Sequence, residues 1–323
     1  MTELSISIQG LCGLTWPAWK RLVAAVERLG FAGLFCTDHF ALLDALTTDS
    51  LEVIVALTYL ADHTQRIHFG PLVAPFSFRD PVMLARQAVV LDDLSGGRMC
   101  LGVGAGWMEY EHHMFGYHLG DMATRMARFA EGLEVITRLL QSADPVSYAG
   151  QFYELREAIL HPRPQRPGGP PILVGGKGPR RSLPLVARYA TIWNATRLAP
   201  DEFRARSVQL DELARTAGRA PSAIKRTVMI PVICGRTTAE LEQRVQGARQ
   251  LFSDFAAMPL DALLEEMRDM FGAMIVGTPD EVIRGIRAYA DVGVEELIIQ
   301  WFGVEDLDGL ELLAEQVLPH VAA

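Results

Sequence analysis

Lysine is nearly missing from this chain. Of its 30 basic residues only Lys20, Lys177 and Lys225 are lysines, while alanine is abundant, which points to a GC-rich coding genome. Cations of either kind are outnumbered, 30 against 39 carboxylates, for a formal net charge of −9. With no surplus of cations to release counterions, a general nucleic-acid binder is excluded, and so is adhesion to an anionic membrane surface. Long apolar runs are also missing. The longest, such as 51–61, still carries Glu52, so no membrane span is expected. The opening residues, Met1-Thr2-Glu3-Leu4-Ser5-Ile6-Ser7-Ile8, have no basic stretch ahead of an apolar core and predict no signal peptide. Cysteine is scarce and scattered. Cys12, Cys36, Cys100 and Cys234 form no Cys-x-x-Cys and each sits in an apolar stretch, so buried free thiols are expected in place of zinc or disulfides. These absences together predict a cytoplasmic protein.

What is present is a globular balance: 50% hydrophobic and 21% charged over 323 residues. Short β-branched or apolar runs alternate with amphipathic stretches from end to end. Strands are predicted at 4–9, 33–37, 67–73, 98–104, 171–175, 191–195, 224–234 and 294–301. Helices between them carry start and stop signals. Thr15 caps a helix that Gly30 stops; Ser50 caps one to about 63; Asp80-Pro81 starts one that ends at Ser95-Gly96-Gly97; and Thr278-Pro279 starts another. Further helices are predicted at 122–140, 180–189, 201–217, 238–255, 260–270 and 307–317. The stretch 107–121 reads as irregular. Residues 161–171 hold five prolines and read as an internal loop. Eight strands, each followed by a helix, predict a (β/α)8 TIM barrel with insertions, one domain over 1–323; a doubly wound open sheet is the runner-up. Either fold puts the site at the carboxyl ends of the strands.

That rule selects Gln9, Asp38, His39, Val73, Ala74, Ala105, Gly106, Trp107, Gly175, Gly176, Asn194 and Gln300. Asp38-His39 directly follows a strand, and a histidine there can hold or pass a proton near neutral pH. An Asp capping a turn over a packed His is the equally good structural reading. Gly102-Val103-Gly104-Ala105-Gly106 invites a dinucleotide fingerprint, but the third glycine falls on Trp107, so that reading is rejected. Backbone packing, against a flat ligand or within the barrel, fits better. Gly175-Gly176-Lys177-Gly178, with Arg180 and Arg181 following, favours a phosphate site at a helix N-terminus over a plain glycine turn. Pro71 and Pro75 bracket Leu72-Val73-Ala74 in an unusual strand end. His112-His113 lacks metal-ligand spacing, and no metal site is expected.

Together these stretches resemble the luciferase-like monooxygenase superfamily, in particular its branch using the deazaflavin coenzyme F-420. The resemblance lies in 30–40 (GFAGLFCTDHF), 70–75 with Arg79 and Pro81, and 95–107 (SGGRMCLGVGAGW) followed by Glu111 and Phe115-Gly116. It continues through Arg125, Arg128-Phe129 and Glu131-Gly132, 170–176, and Gly277-Thr278-Pro279. It implies a cytoplasmic oxidoreductase, usually a homodimer, with a cis peptide at Leu72–Val73 followed by Ala74. It also implies a ring at the barrel mouth near Asp38 and His39, with Ala105, Gly106 and Trp107 beside it and the tail phosphate on Gly175, Gly176, Lys177 and Gly178. His39 is the catalytic candidate, giving or taking a proton or orienting the substrate, and Asp38 holds the cofactor or the loop. Coenzyme F-420 is the expected cofactor, its reduced form supplied by a separate reductase. The abundance of Arg over Lys agrees with the actinobacterial hosts of this coenzyme. Sugar-phosphate dehydrogenases of the branch carry Glu where this chain has Trp107, which removes their general acid. A flat apolar wall there suits a larger, less polar substrate. The alternatives are an FMN-dependent two-component monooxygenase, a non-catalytic flavin-binding relative, and an unrelated phosphate-handling barrel. Stretches 40–49, 107–121 and 252–275, expected around the pocket, carry no motif that names the substrate.

Overall fold

The computed structural model describes residues 2–10, 13–41 and 49–321. Its elements are β1 (Glu3–Ile8), α1 (Trp16–Leu29), β2 (Gly33–Cys36), α2 (Val53–His63), β3 (His68–Pro71), β4 (Ala74–Pro75), α3 (Pro81–Leu94), β5 (Leu101–Gly104), α4 (Glu109–Phe115) and α5 (Met122–Gln141). Next come β6 (Val146–Ala149), β7 (Glu154–Ala158), β8 (Ile172–Gly175), α6 (Ser182–Tyr189), β9 (Ile192–Thr196), α7 (Pro200–Thr216) and β10 (Lys225–Cys234). The chain continues with α8 (Thr238–Arg244), α9 (Gln246–Leu251), α10 (Leu260–Phe271), β11 (Ile275–Gly277), α11 (Pro279–Ala290), β12 (Glu296–Trp301), α12 (Leu307–Gln316) and α13 (Leu318–Val321).

The main sheet is parallel and runs β3-β2-β1-β12-β10-β9-β8-β5-β4, with β11 attached to β10. β3 and β4 are two halves of one strand, divided at the cis peptide Leu72–Val73. The first half pairs with β2 and the second with β5. The Cys100 N–H donates to the Phe69 carbonyl at 2.7 Å, and a Phe69↔Met99 bridge closes the ring. The fold is therefore the expected (β/α)8 barrel and not the open sheet.

Strand alternation sorts the side chains. Leu4, Ile6 and Ile8 on β1, or Leu297 and Ile299 on β12, face outward and are buried under the helices. Each such side chain contributes roughly 1.5–3 kcal/mol when fully buried. Inside the barrel Phe35, Leu72, Cys100, Leu173, Ile192, Met229 and Ile298 form a separate apolar layer. The cysteines Cys36, Cys100 and Cys234 are buried free thiols; Cys12 lies outside the described residues. Among the described residues no helix is long and apolar enough to cross a membrane.

Local departures have identifiable causes. Helix α2 starts at Val53, not at Ser50, because the Glu52 carboxylate accepts the Val55 N–H at 2.8 Å and acts as the cap. The stretch expected to be irregular contains α4, held by buried contacts of Glu111 and His112 and stopped by Gly116 in the left-handed region. The long helix expected at 238–255 breaks into α8, α9 and a 3-10 turn, while a β6–β7 hairpin that no pattern signalled precedes the proline loop.

Candidate functional site

The glycines of β5 are explained by the interrupted strand beside them. A Cβ on Gly102 would lie 1.9 Å from the Pro71 carbonyl oxygen, and one on Gly104 would lie 2.6 Å from Val73 Cγ2. Gly175 on β8 also faces the Val73 methyls. The G-x-G pattern is barrel packing: three glycines leave room for Val73, half-buried between β5 and β8 at the mouth. Leu72 and Ala74 on either side are buried.

Where β2 ends, two neighbouring residues are drawn to different partners. The buried Asp38 carboxylate accepts both Nε and Nη2 of Arg79, at 2.8 and 2.7 Å, and Arg79 reaches on to Glu52 at 2.6 Å. Burial holds the Asp38 carboxyl above the ordinary aspartate value, although Arg79 opposes the rise. Both Asp38 oxygens thus tie the loop after β2 to Arg79, just ahead of α3. His39 turns instead to Glu111 on α4: Nδ1 lies 3.0 Å from Oε1, and the other oxygen, Oε2, accepts the Phe40 N–H at 2.8 Å. Glu111 is 1% exposed and His39 still 16% accessible through its side chain.

Ala105 and Gly106 are half-buried after β5, and the Gly106 carbonyl accepts Arg125 at 3.2 Å. Trp107, 65% exposed, stands edge-on to His39, with ring centroids 5.9 Å apart and an interplanar angle of 84°. His112 and His113 separate as adjacent helical residues do. His112 is buried against the Met108 carbonyl at 2.7 Å and His113 is exposed. Among the described residues no three metal-ligating side chains come together.

Across the mouth, Gly176 has φ +139°, a conformation open to glycine, and a Cβ there would meet Ser182 Oγ at 2.8 Å. The Gly178 carbonyl accepts the N–H groups of Ser182 and Leu183. Helix α6 therefore begins at Ser182, and Arg180 and Arg181 stand ahead of it, exposed, not in its first turn. No side chain caps α6. Lys177 is exposed, its Nζ 3.4 Å from the Arg197 carbonyl.

Inside the mouth, Ser7, Gln300 and Asn194 alternate inward from β1, β12 and β9. Asn194 Nδ2 donates to Thr227 at 2.9 Å, but Asn194 Oδ1, Gln300 Oε1 and Ser7 Oγ are buried with no partner among the described residues. Arg197, just past β9, has φ +57° and lies over the Phe271 ring at 4.6 Å, with no side-chain hydrogen bond among the described residues. Sequence reasoning named Glu111 and Arg79 without their roles and missed Arg197 altogether. Glu111 pairs across 72 positions and Arg79 across 41, and no local pattern encodes such meetings.

The family model described as luciferase-like monooxygenase matches residues 9–296. The chain is similar to an F420-dependent glucose-6-phosphate dehydrogenase of Amycolatopsis mediterranei (strain U-32), 25% identical over 92% of each chain. It is also similar to a 4-hydroxyprotoasukamycin monooxygenase of Streptomyces nodosus subsp. asukaensis, 35% identical over 53% of this chain and 45% of that one. In fold it resembles an F420-dependent secondary alcohol dehydrogenase in complex with an F420-acetone adduct. That likeness has a TM-score of 0.82 at 19% identity, covering 100% of this chain and 99% of the other.

Proposed function

Because the chain belongs to the luciferase-like monooxygenase family, we propose that it is an oxidoreductase passing hydride between coenzyme F-420 and a small to medium, largely apolar organic substrate. The observation that carries this reading is His39. It is a titratable ring at the barrel mouth, fixed by a buried carboxylate, beside an exposed indole. Relatives that match over nine-tenths of the chain and bear the F420 name support the choice of cofactor.

The residues fit a flavin-like group. Three buried polar atoms at the mouth with no partner among the described residues (Asn194 Oδ1, Gln300 Oε1 and Ser7 Oγ) call for hydrogen bonds that the polar edge of such a ring would supply. Gly175, Gly176, Lys177 and Gly178 would hold the tail phosphate, with the uncapped N-terminus of α6 adding its dipole. Leu72, Val73 and Ala74 would back one face of the ring, with Ala105, Gly106 and Trp107 along its side. Bound F-420 would supply a carbon that gives or receives hydride and activates oxygen poorly. His39 manages the accompanying proton or orients the substrate, Asp38 and Arg79 hold the loop that carries it, and Trp107 excludes water and offers an apolar wall. Arg197, with no carboxylate partner among the described residues, would meet an anionic group of cofactor or substrate.

A second reading keeps the fold and uses FMN with a separate reductase; the 35% identity to a monooxygenase over half the chain favours it. Titration with F-420 and with FMN, followed by tryptophan fluorescence in wild type and Trp107→Phe, separates the two. Tight F-420 binding with weak FMN binding, and a quench lost in the variant, is expected. The reverse preference overturns the F-420 assignment. We also propose a homodimer. Met83, Val90 and Leu94 lie on one exposed face of α3, Val55 is exposed on the neighbouring helix α2, and light scattering of a Met83→Glu, Leu94→Glu variant should report the monomer.

A further inference from the structure

We propose that Glu111 is a positioning residue that fixes the tautomer of His39, holding the ring proton on Nδ1 and leaving Nε2 as the working nitrogen. The inference deepens the reading of His39 given above. It follows from counting donors and acceptors around one carboxylate. The Phe40 N–H, 2.8 Å from Glu111 Oε2, can only donate. His39 Nδ1, 3.0 Å from Oε1, can donate or accept according to where its proton sits. A carboxylate only accepts, so the arrangement closes in one way: Phe40 N–H to Oε2, and Nδ1–H to Oε1. In the neutral ring Nε2 is then bare. It makes no hydrogen bond among the described residues and is left to take a proton from a substrate or return one.

The same count makes a sharp forecast for Glu111→Gln. An amide offers one acceptor oxygen and one NH2 group. The Phe40 N–H can only donate, and facing it with the amide NH2 would set donor against donor in a part-buried contact, so it claims the amide oxygen. The NH2 then faces Nδ1, which must become the acceptor, and the ring proton moves to Nε2. A nearly isosteric change thereby inverts His39 from an Nε2 acceptor to an Nε2 donor.

Long-range proton–nitrogen NMR on protein carrying 15N-histidine reads the tautomer directly. It is run about two pH units above the ordinary histidine value of ~6.5, where neutral rings dominate. The signal of His39 among the 8 histidines is identified by its loss in His39→Gln. In wild type the protonated nitrogen is expected to be Nδ1, and in Glu111→Gln it is expected to be Nε2. A wild-type ring protonated on Nε2, or a variant that keeps the wild-type tautomer, overturns the proposal. If Glu111→Gln fails to fold, the wild-type spectrum alone decides. No cofactor is present in this measurement, so it stands or falls separately from the F-420 assignment. In turnover, Glu111→Gln should lower kcat about 100-fold, the scale of acid–base assistance, while the Kd for the cofactor stays within about twofold. Unchanged kcat with a correctly inverted tautomer would instead remove His39 from the proton step.

Discussion

Each end of the barrel pairs a half-buried histidine with a buried glutamate, and the pairs are built for different purposes. At the amino ends of the strands, His68 Nε2 lies 2.7 Å from Glu296 Oε1, and the other Glu296 oxygen receives Lys225 at 2.8 Å, with the Ser5 hydroxyl also donating. Although burial alone would raise it, His68 and Lys225 hold the Glu296 carboxyl down to about 2. A recess of about 230 Å³ opens there beside His68, Arg98, Arg166, Lys225 and Glu296, yet each of these side chains already has its partner within the chain. At the carboxyl ends, His39 and Glu111 meet through a single ring nitrogen, and buried atoms of Ser7, Asn194 and Gln300 have no partner among the described residues. A closed network stabilises the fold, whereas an incomplete one waits for a ligand. The volume of a recess therefore says less about function than whether its polar groups are already paired.

The sharpest way to break the comparison is to exchange the costs. Glu296→Gln takes the buried carboxylate away from half-buried His68 and from Lys225, which keeps Glu3, and should cost about 1–3 kcal/mol in urea unfolding. Cofactor affinity in the fraction that folds should be unchanged. A loss under 1 kcal/mol would mean that the lower network is not structural. Acid should act on the same group. The folded value for Glu296, about 2, lies below its ordinary 4.5, so its contribution is present above about pH 4.5 and fades as pH falls towards 2. That contribution is on the order of 3 kcal/mol. Unfolding free energy measured across this window should fall more steeply in wild type than in Glu296→Gln.

Substitutions at the mouth should act mainly on ligands. Gly176→Ala, forced to φ +139° with its Cβ against Ser182, is expected to cost about 1–3 kcal/mol in stability. It should also weaken binding of the phosphate-bearing cofactor, read by the same fluorescence titration. Trp107→Ala should leave stability within about 0.5 kcal/mol, as for an exposed side chain. Its KM for an apolar substrate should rise about tenfold, equivalent to ~1.4 kcal/mol. A large stability loss at Trp107 would make it a packing residue.

All eight strands expected for the ring were legible, because buried parallel strands read as short apolar runs between helices whose ends are marked by Thr15, Asp80-Pro81 and Thr278-Pro279. The cis peptide at Leu72–Val73 came from the family resemblance and is present. The β6–β7 hairpin escaped notice because its strands are short and mostly exposed, and β7 carries Glu154, Arg156 and Glu157, so no apolar period marks them. Helix α4 escaped because its seven residues carry no apolar stripe and depend on tertiary contacts of Glu111 and His112. At the site, strand ends pointed to His39, Asn194 and Gln300, since position along a strand is a local property. The partners Glu111 and Arg79 are not local to His39 and Asp38, and required the fold. Most of the expected pocket-lining stretch 40–49 lies outside the described residues.

The most direct test of the account is turnover in His39→Ala protein. Absorbance of the deazaflavin would be followed against a panel of alcohols and enones, after confirming that the variant binds F-420 like wild type. The account predicts that wild type exchanges hydride with at least one substrate class and that the variant loses about 100-fold in kcat. A variant that binds F-420 normally and keeps full turnover would contradict it.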